Sequence, residues 1–473
     1  DQERSIAVLP FDNLSGDPEQ DYFSDGLSIE MIAQLSKISS LDKVIAFNSS
    51  RRYRDSDKTV VEIGEELGAA LLLEGTVRQQ GERVRVTAQL VDAREQGQLW
   101  AETYDGELSD IFAVQSRIAD QIAAALRVEL SSELRAQIER RPTENLAAYS
   151  LYLKGQDSRI RYNKEANQRA IEFYRAAVEL DPSFARARAG LAYASALQGY
   201  LYGGEASWLE AAIDEAETAL AIDPDLADAH VALAAAYNIR GRIELAEQHA
   251  KAAIASSPNS DRGAVELGWI YVSTARWDEA YAQFRKALDL NPLHSYNYWS
   301  MGILYLALGE LEQAEEWAQR ALQLQPDDTT AHLILWTVFL AQGSLEEAAD
   351  VGQTMLALSP GDPKSHMTAG TSALISGDLA RAREHYQTAY EMAPETLLGD
   401  QRFATSFGAF LWRTGERAQA EELFAHSLQL NEEELAAGNR SSRPFTDTAF
   451  IHATRGETAE ALRSLRQAVD AGY

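Results

Sequence analysis

Apolar and polar positions divide the chain into two regions with different periods. Beyond about residue 145, apolar residues follow the spacing of amphipathic helices, and short polar breaks separate one helix from the next. Before residue 140, helical spacing alternates with the period of two that is typical of strands. The pattern therefore predicts an α/β domain over residues 1–140 and an all-α array over residues 145–473.

The amino-terminal region is predicted to form a small mixed sheet with helices packed on it. Residues 82–91 carry the clearest strand pattern, because every second side chain from Val84 to Leu90 is apolar. Further strands are predicted over 5–11, 41–47, 70–79 and 98–104, and helices over 27–38, 59–67 and 109–130. Strands and helices mixed in one short segment are typical of a layered α/β domain.

Prolines in the second region recur every 34 residues. The series is Pro224, Pro258, Pro292, Pro326, Pro360 and Pro394, with Pro182 lying 42 residues before its first member. Each proline follows a helical stretch. Because proline has no N–H and clashes with the preceding turn, it ends a helix at each position. The series therefore predicts a repeated helical unit.

Small residues recur in phase with the prolines. One series is predicted to lie in tight turns between helices, where a positive φ is favoured: Gly241, Ala275, Gly309, Gly343 and Gly377. A second series is predicted to lie where two antiparallel helices approach closely: Ala246, Ala280, Ala314, Ala348 and Ala382. A third has the same expected role, with Met355 as the exception: Ala253, Ala287, Ala321 and Ala389.

Together these series resemble the tetratricopeptide repeat, a helical hairpin that stacks on its neighbours to bury a core. The resemblance covers residues 146–473 and about nine hairpins, of which the first two and the last two are irregular. About eight extra residues are placed around Gly203-Gly204, and an insertion over 432–447. The resemblance implies an all-α superhelical solenoid with a groove lined by the first helix of each hairpin.

Repeat register places a largely apolar set of side chains in that groove. Its members are Val265, Trp269, Tyr296, Trp299, Ile303, Leu306 and Leu333. We expect this set to bind a protein or peptide partner, since buried aromatic side chains contribute much of the energy of interfaces. The alternative is that these residues pack within the array. The Lys, Arg and Asn set of repeats that clamp a terminal carboxylate is missing from these positions.

The first 130 residues resemble the TolB-like amino-terminal domain. The resemblance rests on the segment 5–27, which includes Asn13-Leu14-Ser15-Gly16-Asp17-Pro18, and on the segments 73–78, 99–102 and 110–115. In bacteria this domain commonly precedes tetratricopeptide repeats. The pair often forms the extracytoplasmic part of a membrane protein whose other half is a class III nucleotide cyclase or a winged-helix DNA-binding domain.

The resemblance therefore implies a sensory and protein-binding region, located in the periplasm. We expect a membrane anchor and an output domain upstream of Asp1, and a homodimer as a possible assembly. A free periplasmic scaffold for envelope assembly is the alternative. An enzyme is not expected from this segment, because no catalytic constellation or phosphate-binding motif stands out.

Charge and composition narrow the chemistry further. The formal net charge of −29 disfavours nucleic acid as a partner, because the chain repels a phosphate backbone. The lack of cysteine excludes thiol catalysis and zinc sites of the cysteine type. His230, His332 and His366 share one repeat position, and packing is the interpretation there because no third ligand converges on them. No cofactor or metal is expected.

One loop of the α/β domain is a candidate anion-binding loop. Ser50, Arg51 and Arg52 place hydroxyl and guanidinium groups side by side, a combination that suits an oxyanion. The alternative is a set of solvated loop charges.

Overall fold

The computed structural model describes residues 4–161, 163–200, 207–394, 396–398, 401–436, 439 and 441–471. The predicted fold class is confirmed: residues 5–107 contain a mixed sheet, and a long run of helices follows. The extra residues predicted around Gly203-Gly204 lie outside the described residues.

Six strands form the sheet of the amino-terminal domain: β1 (Ser5–Val8), β2 (Asp12–Asn13), β3 (Lys43–Ile45), β4 (Leu71–Gln80), β5 (Arg83–Asp92) and β6 (Gln98–Glu107). The strand order is β3-β1-β4-β5-β6, and β2 pairs with β4. The β3, β1 and β4 pairings are parallel, whereas β4, β5 and β6 are antiparallel. The alternation predicted in β5 is confirmed, because Val84, Val86, Ala88 and Leu90 are all buried.

Five helices belong to this domain: α1 (Asp21–Leu35), α2 (Phe47–Ser50), α3 (Val60–Leu67), α4 (Ile111–Ala125) and α5 (Ser132–Glu139). The helix predicted over 109–130 ends earlier, at Ala125, and Arg127 has a φ of 52°, which no α-helix contains. A separate helix, α5, then begins after Ser131, whose hydroxyl accepts a hydrogen bond from the backbone N–H of Leu134 at 3.1 Å.

Nine helical hairpins follow in the described residues. They are α6 (Leu146–Arg159) with α7 (Lys164–Leu180), α8 (Ala185–Tyr200) with α9 (Ser207–Ile222), α10 (Ala227–Ile239) with α11 (Ile243–Ser256), α12 (Asp261–Ser273) with α13 (Trp277–Leu290), α14 (Ser295–Ala307) with α15 (Leu311–Leu324), α16 (Thr329–Gln342) with α17 (Leu345–Leu358), α18 (Pro363–Ile375) with α19 (Leu379–Met392), α20 (Phe403–Thr414) with α21 (Arg417–Ala436), and α22 (Arg443–Arg455) with α23 (Thr458–Asp470).

The repeat signals have the predicted local effects. Each second helix from α7 to α19 ends two residues before its proline, as α13 does at Leu290 before Pro292. Gly309 and the other glycines of its series have positive φ, and Ala275 shares that conformation. Every alanine of the two close-approach series is at most 2% exposed, as is Met355. Local sequence therefore sets the hairpin geometry.

Backbone contacts divide the chain into two compact units. Unit 1 comprises residues 1–236, 244–267 and 283–294, and unit 2 comprises 237–243, 268–282 and 295–473. Unit 1 thus contains the α/β domain together with the first hairpins.

The α/β domain shares its hydrophobic core with α6, α7 and α8. Phe112 of α4 packs edge-on against Tyr149 of α6, with ring centroids 4.7 Å apart. At Gly26 of α1, an added Cβ atom would lie only 2.8 Å from a methyl group of Leu153, so the two helices are in close contact there. One core cluster of unit 1 therefore continues across residues 140–145, where the sequence pattern changes.

Candidate functional site

A large cleft lies within unit 1, between the α/β domain and the first hairpins. Its volume is about 1060 Å³. The carboxyl end of α1, the linker from α5 to α6, and the first turns of α8, α10 and α12 supply most of its lining. The cleft is therefore bordered by the first helices of several successive hairpins, the helices that the repeat resemblance assigns to the groove.

The loops around two repeat prolines hold the α/β domain against the hairpins. Asn259, next to Pro258, donates through Nδ2 to the carbonyl oxygens of Ile38 and Leu41 at 2.9 and 3.2 Å. The loop around Pro292 makes comparable contacts, since the backbone N–H of Ala46 donates to the Leu290 carbonyl at 2.9 Å. The loops that contain these prolines, which end the preceding helices, therefore also contact the α/β domain.

A buried ion pair joins α1 to the hairpins at one wall of the cleft. Glu30 of α1 is only 1% exposed and pairs with Arg186 of α8. The hydroxyl of Tyr152 donates to Glu30 Oε1 at 3.0 Å and accepts a hydrogen bond from Gln156 Nε2 at 2.7 Å. Burial, and then the Glu30 charge, raise the pKa of Tyr152 well above its ordinary value, so this hydroxyl remains a donor.

A second ion pair lies on the neighbouring hairpins. Arg262 of α12 pairs with Asp228 of α10, and its guanidinium stacks 4.4 Å from the ring centroid of Tyr193. Burial acts to raise the pKa of Asp228, but the arginines, Arg262 first and Arg159 second, together with Lys37 lower it below its ordinary value. Asp228 is therefore ionised at neutral pH.

Repeat register explains why these charges face one cleft. Arg186, Asp228 and Arg262 each lie four residues after a repeat proline. Tyr296 occupies the same position in the next repeat, where the charged series gives way to an aromatic ring. Charged residues at this position in three successive repeats are the feature of the sequence that indicates the cleft.

The predicted partner-binding set lies mostly in unit 2. There the Trp269 indole N–H donates to the Tyr296 hydroxyl at 2.9 Å, and the Tyr296 and Trp299 ring centroids are 4.3 Å apart. Trp299 is only 8% exposed, and Trp269, Tyr296, Ile303 and Leu306 pack against the same core cluster. Leu333 is half-buried, while Val265 belongs to unit 1 and is 6% exposed. Partner binding by this set stays a prediction.

The candidate anion-binding loop contributes to docking of the domain. Ser50 is buried, and its hydroxyl donates to the Phe47 carbonyl at 3.4 Å. Arg52 donates to the Leu293 carbonyl at 3.4 Å. Arg51 keeps an exposed surface, and partial desolvation of its guanidinium, followed by the charge of Arg161, lowers its pKa. Anion binding by Ser50, Arg51 and Arg52 stays a prediction.

The repeated histidines contact their own proline loops. The Nε2 atoms of His230, His332 and His366 lie 3.0–3.1 Å from the carbonyl oxygen of the proline six residues before. Across the described part of the chain, no three histidine, aspartate or glutamate side chains are grouped in a way that holds a metal ion. Among the helices that the structure describes, none combines the length and apolar character that a bilayer crossing requires.

Comparison with known proteins supports the repeat assignment. The tetratricopeptide repeat model matches residues 265–329 and 301–363. The chain is 38% identical over 246 residues to "Putative adenylate cyclase 3" of Rhizobium meliloti (strain 1021). That match covers 51% of this chain and 42% of the relative, so the chain spans about two fifths of the length of the curated relative that it matches.

Two solved structures illustrate the similarity of this chain to known folds. One is a human IFIT1 dimer with m7Gppp-AAAA, at 16% identity and a TM-score of 0.47, covering 77% of this chain and 80% of that one. Another is a thermophilic TPR protein of Thermus thermophilus, at 23% identity and a TM-score of 0.36, covering 39% of this chain and 99% of that one.

Proposed function

We propose that this chain is the non-catalytic sensory and protein-binding region of a membrane-anchored bacterial signalling protein. The match to the Rhizobium meliloti relative carries this proposal, because that protein is named as a cyclase and more than half of its length lies outside the match. The tetratricopeptide repeats support a scaffold that binds proteins. A class III cyclase is the output domain that we favour, and a winged-helix regulator is the second.

The architecture of unit 1 supports a sensory role. The α/β domain, which we continue to interpret as TolB-like, is fixed to the hairpins by polar contacts around a cleft and by a shared core. A ligand or partner that changes this packing would act on both parts at once. Ligand binding would then be coupled to the packing of the α/β domain against the hairpins. Regulation of an output domain requires a coupling of this kind.

The gene sequence upstream of Asp1 tests the proposal directly. We expect a membrane-spanning segment that follows a cyclase or winged-helix domain. A signal peptide alone would instead favour a free periplasmic scaffold, and a gene with neither feature would reject both.

Location and activity provide two further tests. Alkaline phosphatase, which is active only in the periplasm, is fused after Tyr473 of the full-length protein, and we expect an active fusion. Purified chain incubated with ATP and Mg²⁺ is expected to form no cyclic AMP, whereas the full-length protein forms it when the upstream domain is a cyclase. Turnover by the purified chain would overturn the non-catalytic assignment.

A further inference from the structure

Among the described residues, two cations in the cleft of unit 1 form no salt bridge. Four other basic residues that line the cleft each form an ion pair: Arg186 with Glu30, Arg262 with Asp228, Arg140 with Asp223, and Arg141 with Glu144. Lys37 and Arg159 also line the cleft. Both lower the pKa of Asp228, whose salt bridge is with Arg262, so each keeps hydrogen-bond donors for a ligand.

Lys37 follows the carboxyl end of α1. Its ammonium donates to the side-chain oxygen of Gln34 at 3.3 Å, which leaves two of its three N–H donors for other acceptors. Burial, and then the charge of Arg186, lower the pKa of Lys37 to about 8, although Glu30, Asp223 and Asp228 act to raise it. An ammonium that is desolvated without a matching carboxylate is stabilised by any anion that enters the cleft.

Arg159 ends α6 on the hairpin side of the cleft. Its Nε atom donates to Gln156 Oε1 at 3.0 Å. Gln156 in turn donates to Tyr152, so the orientation of this guanidinium is connected to the Glu30 and Arg186 pair. This guanidinium also hydrogen-bonds Tyr174, and its remaining N–H groups suit a carboxylate or a phosphate.

The remaining acidic groups in the cleft do not take the place of such an anion. Asp181 accepts hydrogen bonds from the Ser183 backbone N–H at 2.9 Å and from the Thr143 hydroxyl at 2.5 Å. Asp261 accepts from Asn291 Nδ2 at 2.7 Å, and Asp225 is exposed. Asp181 and Asp261 are therefore hydrogen-bonded to neighbouring polar groups, and Asp225 is solvated.

The rest of the lining favours an organic ligand over an inorganic ion. Apolar side chains from both sides contribute to the wall, among them Ile32, Leu146, Ile160, Ile222 and Val231. The volume of about 1060 Å³ is just above the roughly 300–1,000 Å³ that small-molecule sites occupy, so the cleft has room for an organic ligand.

We propose that this cleft binds a small organic anion with at least two negative charges, whose carboxylate or phosphate groups accept hydrogen bonds from Lys37 and Arg159. The apolar body of the ligand then lies against the aliphatic wall. The inference rests on the proposed sensory function, since the ligand contacts both the α/β domain and the hairpins and so stabilises their packing.

Calorimetric titration of the purified chain tests this site. The probes are citrate for the carboxylate chemistry, adenosine monophosphate for the phosphate chemistry, and inorganic pyrophosphate for charge without an organic body. We expect citrate or adenosine monophosphate to bind with a Kd below about 1 mM and to raise the thermal midpoint. Absence of binding by all three at about 10 mM overturns the proposal, and tighter binding of pyrophosphate than of both organic probes overturns its organic part.

Variants locate the binding. Lys37→Met and Arg159→Met are each expected to weaken Kd about tenfold or more, as for loss of a hydrogen bond between charged groups. Lys37→Arg should retain binding, which separates loss of charge from misfolding. The matched surface variants Lys251→Met and Arg320→Met, at residues whose side chains are 60% and 46% exposed, should leave Kd unchanged. Equal weakening by all four methionine variants would contradict the assignment.

The pH dependence gives a second readout. The affinity for citrate or adenosine monophosphate should fall between pH 7 and pH 9, because Lys37 loses its proton around pH 8 while these two anions largely keep their charge. Lys37→Arg should bind equally at both pH values. A wild-type affinity that does not change over this range contradicts the role of Lys37.

The two proposals fail separately. Binding by the purified chain does not depend on the upstream gene. If the purified chain binds none of the probes and a cyclase domain is found upstream, only the ligand site is rejected. Binding with no signalling domain upstream would reject only the sensory function.

Discussion

Ala275 adopts a left-handed backbone conformation, with a φ of 54°, in the turn between α12 and α13. The equivalent positions in neighbouring repeats carry glycine, as at Gly309 and Gly343, with φ of 75° and 77°. The repeat geometry therefore imposes this conformation on whichever residue is present. For a residue with a Cβ atom, the left-handed region costs roughly 1–2 kcal/mol.

Ala275→Gly is therefore expected to stabilise the chain by roughly 0.5–1 kcal/mol, after subtraction of the greater freedom of glycine in the unfolded chain. Thermal unfolding followed by circular dichroism measures the change as a higher midpoint. Ala282→Gly is the matched control, because Ala282 is exposed in the interior of α13 and should lose about 1 kcal/mol there. A lower midpoint for both variants would contradict the strain at Ala275.

At the scale of elements, α1 is held by side chains from several hairpin helices. Glu30 contacts Arg186 of α8 and Tyr152 of α6, while Gly26 admits Leu153. A buried carboxylate in the middle of a helix is costly unless it is paired and hydrogen-bonded, and Glu30 has both kinds of partner. The position of α1 against the hairpins is therefore specified by polar contacts as well as by packing.

Glu30→Gln keeps the size of the side chain and an acceptor for Tyr152 but leaves Arg186 without its counterion. We expect a loss of about 3 kcal/mol in the free energy of unfolding, because the largely buried charge of Arg186 would have no ion-pair partner. Urea unfolding monitored by tyrosine and tryptophan fluorescence measures it. Glu244→Gln, at an exposed position of α11, should change stability by less than about 0.5 kcal/mol. The double variant with Arg186→Met should recover part of the loss, and no recovery would contradict the pairing.

At the scale of the whole molecule, one core serves two kinds of architecture. Residues of the sheet and of α4 lie in the same hydrophobic cluster as Tyr152, Tyr174 and Phe184 of the hairpins. Repeat hairpins need neighbours to cover their apolar faces, and in unit 1 the α/β domain supplies part of that cover. Unit 1 therefore includes both the α/β domain and the first hairpins.

Residues 1–140 expressed alone should consequently fold poorly, because the apolar surface of α1 and α4 would lack α6. We expect strong binding of a hydrophobic dye and a broad thermal transition, while residues 1–294, which contain all of unit 1, should show weak dye binding and a cooperative transition. A cooperative transition of residues 1–140 at the midpoint of the longer fragment would show that the α/β domain is independent.

Local features of the sequence by themselves determined the elements of this protein. Proline cannot continue a helix, small residues allow close helix contacts, and alternating apolar residues mark a half-buried strand, so the repeat hairpins, their proline-marked helix ends and β5 were predictable. The end of α4 was missed, because apolar spacing continues past Ala125 although the backbone does not.

Only the tertiary structure decided which elements meet. Glu30 and Arg186 are 156 residues apart, and Asn259 reaches Ile38 over 221 residues, so no local period could pair them. The repeat register did place Arg186, Asp228 and Arg262 at one position, yet it did not show that α1 would face them. The cleft exists because two distant segments bury their apolar surfaces together, and that long-range pairing is what brings Lys37 and Arg159 into the lining of one cleft.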